Sequence, residues 1–267
     1  MKPVKVVVHG ALGRMGQEVI NALYYEPETE VIGAVDLNVT RDYLSLPDGS
    51  SSVPLSSDLD QILSDQQPDV LVDFTIAKAT MPAVRIATKR KVHLVIGTTG
   101  LTDTDVDEID RLAMDNEVGA VIAPNFALGA VLLMHLAKIA AKYLDYAEII
   151  ELHHDKKVDA PSGTALTTAR EMAEARGKPF SRTPDREKMM KSRGDEVQSI
   201  PIHAVRLPGL LAHQEVILGA PGQTLHIRHD MISREGFIPG VIVAVKEVVK
   251  RKGLVRGLDA LLGLKEN

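Results

Sequence analysis

Near the start of the chain a run of branched apolar residues, Val4-Lys-Val-Val-Val-His9, is followed at once by Gly10-Ala-Leu-Gly13-Arg-Met-Gly16 and then by helical periodicity through Leu23. Strand, glycine turn and helix in that order confine the fold to the α/β class with a parallel sheet. In this context the bare backbone of a glycine loop lets a pyrophosphate approach and sit on the N–H groups that open the helix. The loop departs from G-x-G-x-x-G because Leu12 occupies the middle glycine position, so on these residues alone a plain strand-to-helix turn competes with a nucleotide loop. A second strand, 31–35, ends in Asp36, at about the distance beyond the loop where a Rossmann fold sets an acid on the adenosine ribose. A carboxylate there accepts from the ribose 2′-hydroxyl and repels a 2′-phosphate, which favours NADH. Arg14 and Arg41 keep NADPH open, and a helix or turn cap is the other reading of Asp36.

The sequence of 267 residues allows one to two domains, and its formal charge of -5 gives no general basic field for nucleic acid. With no cysteine, disulfides, thiolate zinc sites and a cysteine nucleophile are excluded. The histidines of the strand-rich run 200–230 lack a metal-ligand spacing, so no metal site is read. The first strand begins close to Met1, leaving no room for a secretory signal, and no apolar run is long enough to span a bilayer. A cytoplasmic protein without a membrane or nucleic-acid partner is therefore expected.

Between these landmarks the pattern predicts an irregular polar connection over 38–57 with one short strand at 53–55, a helix over 58–63, a strand over 68–74 and a helix over 78–89. Strands at 92–96 and 120–123 lead into the loops Gly97-Thr-Thr-Gly100 and Pro124-Asn-Phe126, both on the carboxyl side of a parallel sheet where ligands bind. An apolar helix is expected over 128–143, with His135 a packing residue rather than a ligand. The charged stretch 178–199 reads as a solvated, mobile loop. Strands over 200–207, 213–218 and 224–230 suggest an antiparallel or mixed sheet. Helical periodicity returns over 237–250, with Gly253 ending it.

The densest chemistry lies in Glu151-Leu-His-His-Asp-Lys-Lys-Val-Asp-Ala-Pro-Ser-Gly-Thr-Ala165. An apolar strand delivers His153 and His154, whose side chains point to opposite sides unless the strand ends there. His153 suits proton movement near neutral pH. Lys157 adds a fixed charge or a second acid. Ser162 opens a helix running to about Arg176, whose free N–H groups at Gly163 and Thr164, beside two hydroxyls, suit a carboxylate or phosphate. Singly, these residues read equally well as an N-cap, a solvated lysine and a satisfied strand end. An acid and an anion cradle converging in one short segment favour chemistry.

This segment closely resembles the signature of the 4-hydroxy-tetrahydrodipicolinate (dihydrodipicolinate) reductase family, E-L-H-H-x-x-K-V-D-A-P-S-G-T-A, and matches it at every fixed position. Gly10 to Gly16 is similar to the G-x-x-G-R-M-G that the family commonly carries. The resemblance covers nearly the whole chain and implies a fold of the α/β class: a Rossmann-like nucleotide-binding domain plus a smaller α+β domain with a mixed open sheet. It implies a discontinuous dinucleotide-binding domain over 1–126 and 237–267, and a substrate-binding and oligomerisation domain over 127–236. Cofactor contacts are implied at Gly10, Ala11, Leu12, Gly13, Arg14, Met15 and Asp36, at Gly97, Thr98 and Thr99, and at Ala123, Pro124, Asn125 and Phe126.

The implied activity is NAD(P)H-dependent reduction of 4-hydroxy-tetrahydrodipicolinate to tetrahydrodipicolinate in the diaminopimelate route to lysine. His153 is then the proton carrier and Lys157 a supporting acid, without the sequence deciding which of them gives the proton. His154, Ser162, Gly163 and Thr164 hold the dicarboxylate substrate. NADH is the expected cofactor, with NADPH possible, and a homotetramer the expected assembly. Because the glycine loop and the signature belong to different domains, closure on binding is also expected. Two rival readings are an amino-acid dehydrogenase, which needs a site for a substrate ammonium, and a nicotinamide sensor, which has no use for an acid beside an anion cradle.

Overall fold

In the computed structural model, which describes residues 2–182 and 192–264, strands and helices alternate from β1 (Val4–His9) to the carboxyl end. The first part continues through α1 (Arg14–Tyr25), β2 (Thr29–Val35), β3 (Tyr43–Ser45), β4 (Ser52–Ser56), α2 (Leu59–Gln66), β5 (Val70–Asp73), α3 (Ala77–Lys89), β6 (His93–Ile96), α4 (Asp103–Asp115) and β7 (Gly119–Ile122). A second part holds α5 (Leu128–Ala141), β8 (Tyr146–His153), α6 (Gly163–Arg176), β9 (Asp195–Val197), β10 (Ile200–Arg206), β11 (Ala212–Ala220) and β12 (Gln223–Met231). The chain closes with α7 (Ile238–Val248), β13 (Gly253–Arg256) and α8 (Leu258–Leu261). Two compact units result, Met1–Ala127 with Phe237–Asn267, and Leu128–Gly236.

The first unit is built on an eight-stranded sheet in the order β13-β7-β6-β5-β1-β2-β4-β3. Every neighbouring pair is parallel except β3 with β4. Its central strands read as continuous apolar runs because helices cover both faces. Val6, Val7, Val8, Leu71, Val72 and Val95 are wholly buried as a result. The strand order reverses at β1, with β2 on one side and β5 on the other, and the glycine loop leaves the sheet at this switch point.

Three features of this unit differ from the pattern in the sequence. The 38–57 connection carries β3 as well as β4, a pair too short for alternation to show. Helix α4 was not anticipated, although Thr102 and Asp105 form a reciprocal capping box at its start. Gly253 does not end the last long helix, which stops at Val248; instead, with φ at +78°, it starts β13 on the sheet edge beside β7.

The second unit carries a five-stranded sheet ordered β12-β11-β8-β10-β9, in which β8 and β10 are parallel and the other pairs antiparallel. Alternation sends Ala147, Ile149, Ile202, Val216 and Leu218 to one face, where they pack with Leu133 and Ala137 of α5 and Ala169 and Met172 of α6. Each large side chain fully buried there contributes about 1.5–3 kcal/mol. The opposite face presents Glu148, Ile150, Leu152, His213, Glu215 and Ile217, all only partly buried. Of the charged stretch 178–199, residues 183–191 lie outside those described; Asp195–Val197, read as loop, pairs with the start of β10 because an edge strand needs only three residues to close the ladder.

Candidate active site

Strand β8 ends at His153, two residues beyond Glu151, so the strand period places both on the face turned toward α6. Glu151 is wholly buried, and its Oε2 lies 2.5 Å from Nδ1 of His153. The parallel register sets Arg206, the last residue of β10, directly opposite His153. The guanidinium donates to both Glu151 oxygens, at 2.8 and 3.0 Å, and to the Asp159 carbonyl at 2.6 Å. The backbone N–H of Ser162 donates to Glu151 Oε1 at 3.2 Å. Burial works to raise the Glu151 carboxyl, but the hydrogen bonds from His153 and Arg206 outweigh it and hold the group below the usual glutamate range.

The same contacts bring His153 to the start of α6. Ser162 is its N-cap, with Oγ accepting from Ala165 N at 3.2 Å. With hydroxyl and N–H both engaged, Ser162 frames the helix tip. The N–H groups of Gly163 and Thr164 have no partner among the described residues, and a Cβ at Gly163 would meet nothing within 4 Å. No acid stands in the first turn of α6 to compete with an incoming anion. His154 lies one residue past the strand, so its ring is freed from the alternation that fixes His153; its carbonyl accepts from Lys157 N at 3.2 Å, while the ring itself makes no hydrogen bond among the described residues. Lys157 Nζ sits 2.8 and 2.7 Å from the two Asp159 oxygens, and this pairing holds the Asp159 carboxyl below its ordinary range. An ammonium has three N–H donors, so one stays available to an anion.

In the first unit the loop after β1 has the features a dinucleotide needs. Gly10 takes a φ of +83°, and its backbone N–H and that of Ala11 both bond to the Val35 carbonyl. A Cβ on Gly16 would fall 2.1 Å from the Gly10 carbonyl oxygen, so only glycine lets α1 press against the loop. Gly13 caps α1 without a side chain, and no acid stands in the first turn, leaving the N–H groups of Arg14 and Met15 for an anion. Asp36 Oδ2 accepts from Leu12 N at 2.9 Å and Oδ1 from Asn38 N at 3.1 Å, so the acid at the end of β2 also ties down the loop. These are residues suited to the pyrophosphate and ribose of a dinucleotide.

The other two loops sit at the same carboxyl edge, with different parts exposed. Thr98 is buried; its hydroxyl accepts from Thr75 N and donates to Asp73, each at 3.0 Å, which leaves only its backbone for a ligand. Thr99 is exposed. Gly97 has no room for a side chain because the Phe74 ring lies 2.1 Å from where a Cβ would be. Ala123 and Phe126 are buried, Phe126 against Phe74 with ring centroids 5.8 Å apart, while Pro124 is exposed and Asn125 caps its own turn by accepting from Ala127 N.

The sequence pattern marks no catalytic or binding role for Glu151, Arg206, Asp159 or Asp73. Glu151 had a local signal, a carboxylate alternating with Ile149 on the inward side of an apolar strand. Arg206 had none, since only the pairing of β10 with β8 carries it across 55 residues of chain.

Known proteins of one family match the chain over nearly its whole length. The family models described as dihydrodipicolinate reductase, N-terminus and C-terminus, match residues 4–126 and 129–262. A 4-hydroxy-tetrahydrodipicolinate reductase of Dehalococcoides mccartyi (strain ATCC BAA-2100) is 58% identical over 99% of this chain and 100% of its own length. That of Moorella thermoacetica is 47% identical over 97% of this chain and 98% of its own. The structure of a dihydrodipicolinate reductase from Paenisporosarcina sp. TG-14 with dipicolinate bound superposes with a TM-score of 0.87 at 38% identity, covering 97% of this chain and 99% of that one. The chain belongs to the dihydrodipicolinate reductase family.

Proposed function

We propose that this member of the dihydrodipicolinate reductase family catalyses the NAD(P)H-dependent reduction of 4-hydroxy-tetrahydrodipicolinate to tetrahydrodipicolinate, with loss of water, in the diaminopimelate route to lysine. The observation that carries the reading is the meeting, in one short segment, of a carboxylate-held imidazole and an open helix tip. A ring substrate with two carboxylates matches both, and the dipicolinate bound by the Paenisporosarcina relative is such a ring. One carboxylate rests on the N–H groups of Gly163 and Thr164 with the Thr164 hydroxyl, and Ser162 holds that tip in shape. His154 and the third N–H of Lys157 bind the anion further. Once the 4-hydroxyl has left as water together with a proton from the adjacent ring carbon, a reduced nicotinamide, when bound, would supply hydride to the unsaturated ring. The ring becomes an electron-rich enamine, and a proton from His153 forms the new C–H bond while Lys157 supports the developing charge.

The glycine loop from Gly10 to Met15 takes the pyrophosphate, and Asp36 the adenosine ribose, which makes NADH the preferred cofactor. Thr98 and Thr99 with Gly97, and the segment Ala123 to Phe126, line the nicotinamide end largely through backbone. The partly buried apolar residues Ile150, Leu152 and Ile217, opposite the helix-covered face of the second sheet, support a homotetramer assembled through that sheet. Among the described residues no helix is long and apolar enough to cross a membrane, and we place the enzyme in the cytoplasm.

Nicotinamide absorbance followed with the freshly made condensation product of pyruvate and aspartate semialdehyde tests the reading. The enzyme should consume NADH, and His153→Ala or Lys157→Ala should lower kcat by about 10²-fold or more with NADH affinity intact. No consumption by the unaltered enzyme would sink the reading, and full turnover in both variants would remove the roles given to these two residues.

A further inference from the structure

We infer that Glu151 is the positioning residue of this site: it fixes the tautomer of His153 so that Nε2 delivers the proton, and it ties that imidazole to the carboxylate-binding tip of α6. This inference rests on the reductase reading above and goes beyond it, because it separates the role of His153 from that of Lys157.

An ionised carboxylate 2.5 Å from Nδ1 requires a proton on that nitrogen. Nε2 is then the nitrogen left to face a ligand. The donor is the ring with both nitrogens protonated: when Nε2 gives up its proton to the enamine carbon, the N–H bond breaks, its electron pair staying on nitrogen, as the C–H bond forms. The ring is left neutral with its remaining proton on Nδ1, still bonded to Glu151, and takes a new proton from water at Nε2. No ring flip is needed, and Glu151 stays ionised throughout. Arg206 secures that state, because its two N–H bonds to the carboxylate at 2.8 and 3.0 Å favour the anion and fix its plane.

The second function of the carboxylate follows from its remaining contact. Oε1 accepts from Ser162 N at 3.2 Å, and Ser162 is the N-cap of α6. Proton donor and anion cradle are therefore bonded to the two oxygens of one buried group. Arg206 extends the frame through the Asp159 carbonyl at 2.6 Å to the loop that carries Lys157. Lys157, already engaged with both Asp159 oxygens, supplies charge to the substrate carboxylate while His153 supplies the proton.

The test combines imidazole ¹⁵N resonances of the unaltered enzyme, with His153 assigned by its loss in His153→Gln, and kinetics of Glu151→Gln. The expected spectrum shows a proton on Nδ1 of His153 in a strong hydrogen bond; a neutral ring carrying its only proton on Nε2 would overturn the assignment. Glu151→Gln should lower kcat by about 10²-fold or more with NADH affinity unchanged; an unchanged kcat would also overturn it. Should the glutamine variant fail to fold, the spectrum of the unaltered enzyme decides alone. An enzyme with the expected spectrum that leaves the substrate untouched would discredit the reductase reading and leave the positioning role standing.

Discussion

Asp36 offers a perturbation in which two effects can be separated. Its carboxylate is held by Leu12 N at 2.9 Å and Asn38 N at 3.1 Å, so each oxygen keeps a lone pair for the ribose. A hydrogen bond to a charged acceptor contributes about 1.5–3 kcal/mol, so losing the ribose contact alone should weaken NADH by about 10- to 150-fold. The loop anchor is a separate quantity: in an asparagine variant it is a neutral bond of about 1 kcal/mol that serves NADH and NADPH alike, equivalent to about 5-fold in the use of either. Asp36→Asn keeps an oxygen for Leu12 N and removes the charge that repels a 2′-phosphate; Asp36→Ala removes both. The ratio of kcat/KM for NADH over NADPH should therefore fall in both variants. NADPH use should be about 5-fold poorer in the alanine variant than in the asparagine variant. Steady-state kinetics with each cofactor gives both numbers. An unchanged ratio would mean that the ribose is read elsewhere, and equal NADPH values would mean that the Leu12 bond does not hold the loop.

Gly16→Ala should lower the melting temperature and weaken NADH binding, since its Cβ would fall 2.1 Å from one backbone oxygen and 2.9 Å from Ala11 Cα, and such overpacking costs about 1–3 kcal/mol. Thermal melts and fluorescence titration check this, and an unaltered protein would show that α1 can shift freely. Asp73 should make the protein acid-sensitive. Burial works to raise its carboxyl, but the facing His9 ring, 3.0 Å away, and the Thr80 and Thr75 hydroxyls at 2.5 and 2.7 Å outweigh it and hold the folded-state value low. The unfolded chain binds the proton first, so this contribution is whole above an unfolded aspartate value of about 3.9 and is lost as pH falls through the lower folded one. Asp73→Asn should flatten that part of the stability curve in urea melts, and a curve of unchanged steepness would contradict the assignment.

How much of this was legible in the sequence depended on how local each signal was. Val4–His9, the glycines after it and Asp36 lie within one βα unit and the next strand, so a strand period, a turn and a helix period were enough to place them. The start of α6 was equally plain, because Ser162 as N-cap and Gly177 as the left-handed terminator at φ +69° are adjacent to the helix they bound. Helix α4 also carries a local signal, its capping box at Thr102 and Asp105. Arg206 was not legible, since the strand register alone sets it opposite His153. The burial of the Thr98 hydroxyl depended likewise on Asp73 and Thr75, which sit on a neighbouring strand and the loop after it.

The account depends on His153 and the α6 tip serving a single ligand. Titrating the protein with pyridine-2,6-dicarboxylate while following the amide signals of Gly163 and Thr164 and the ring signals of His153 measures that directly. All three should move along one saturation curve with one Kd. A tip that responds without the imidazole, or two separate curves, would contradict it.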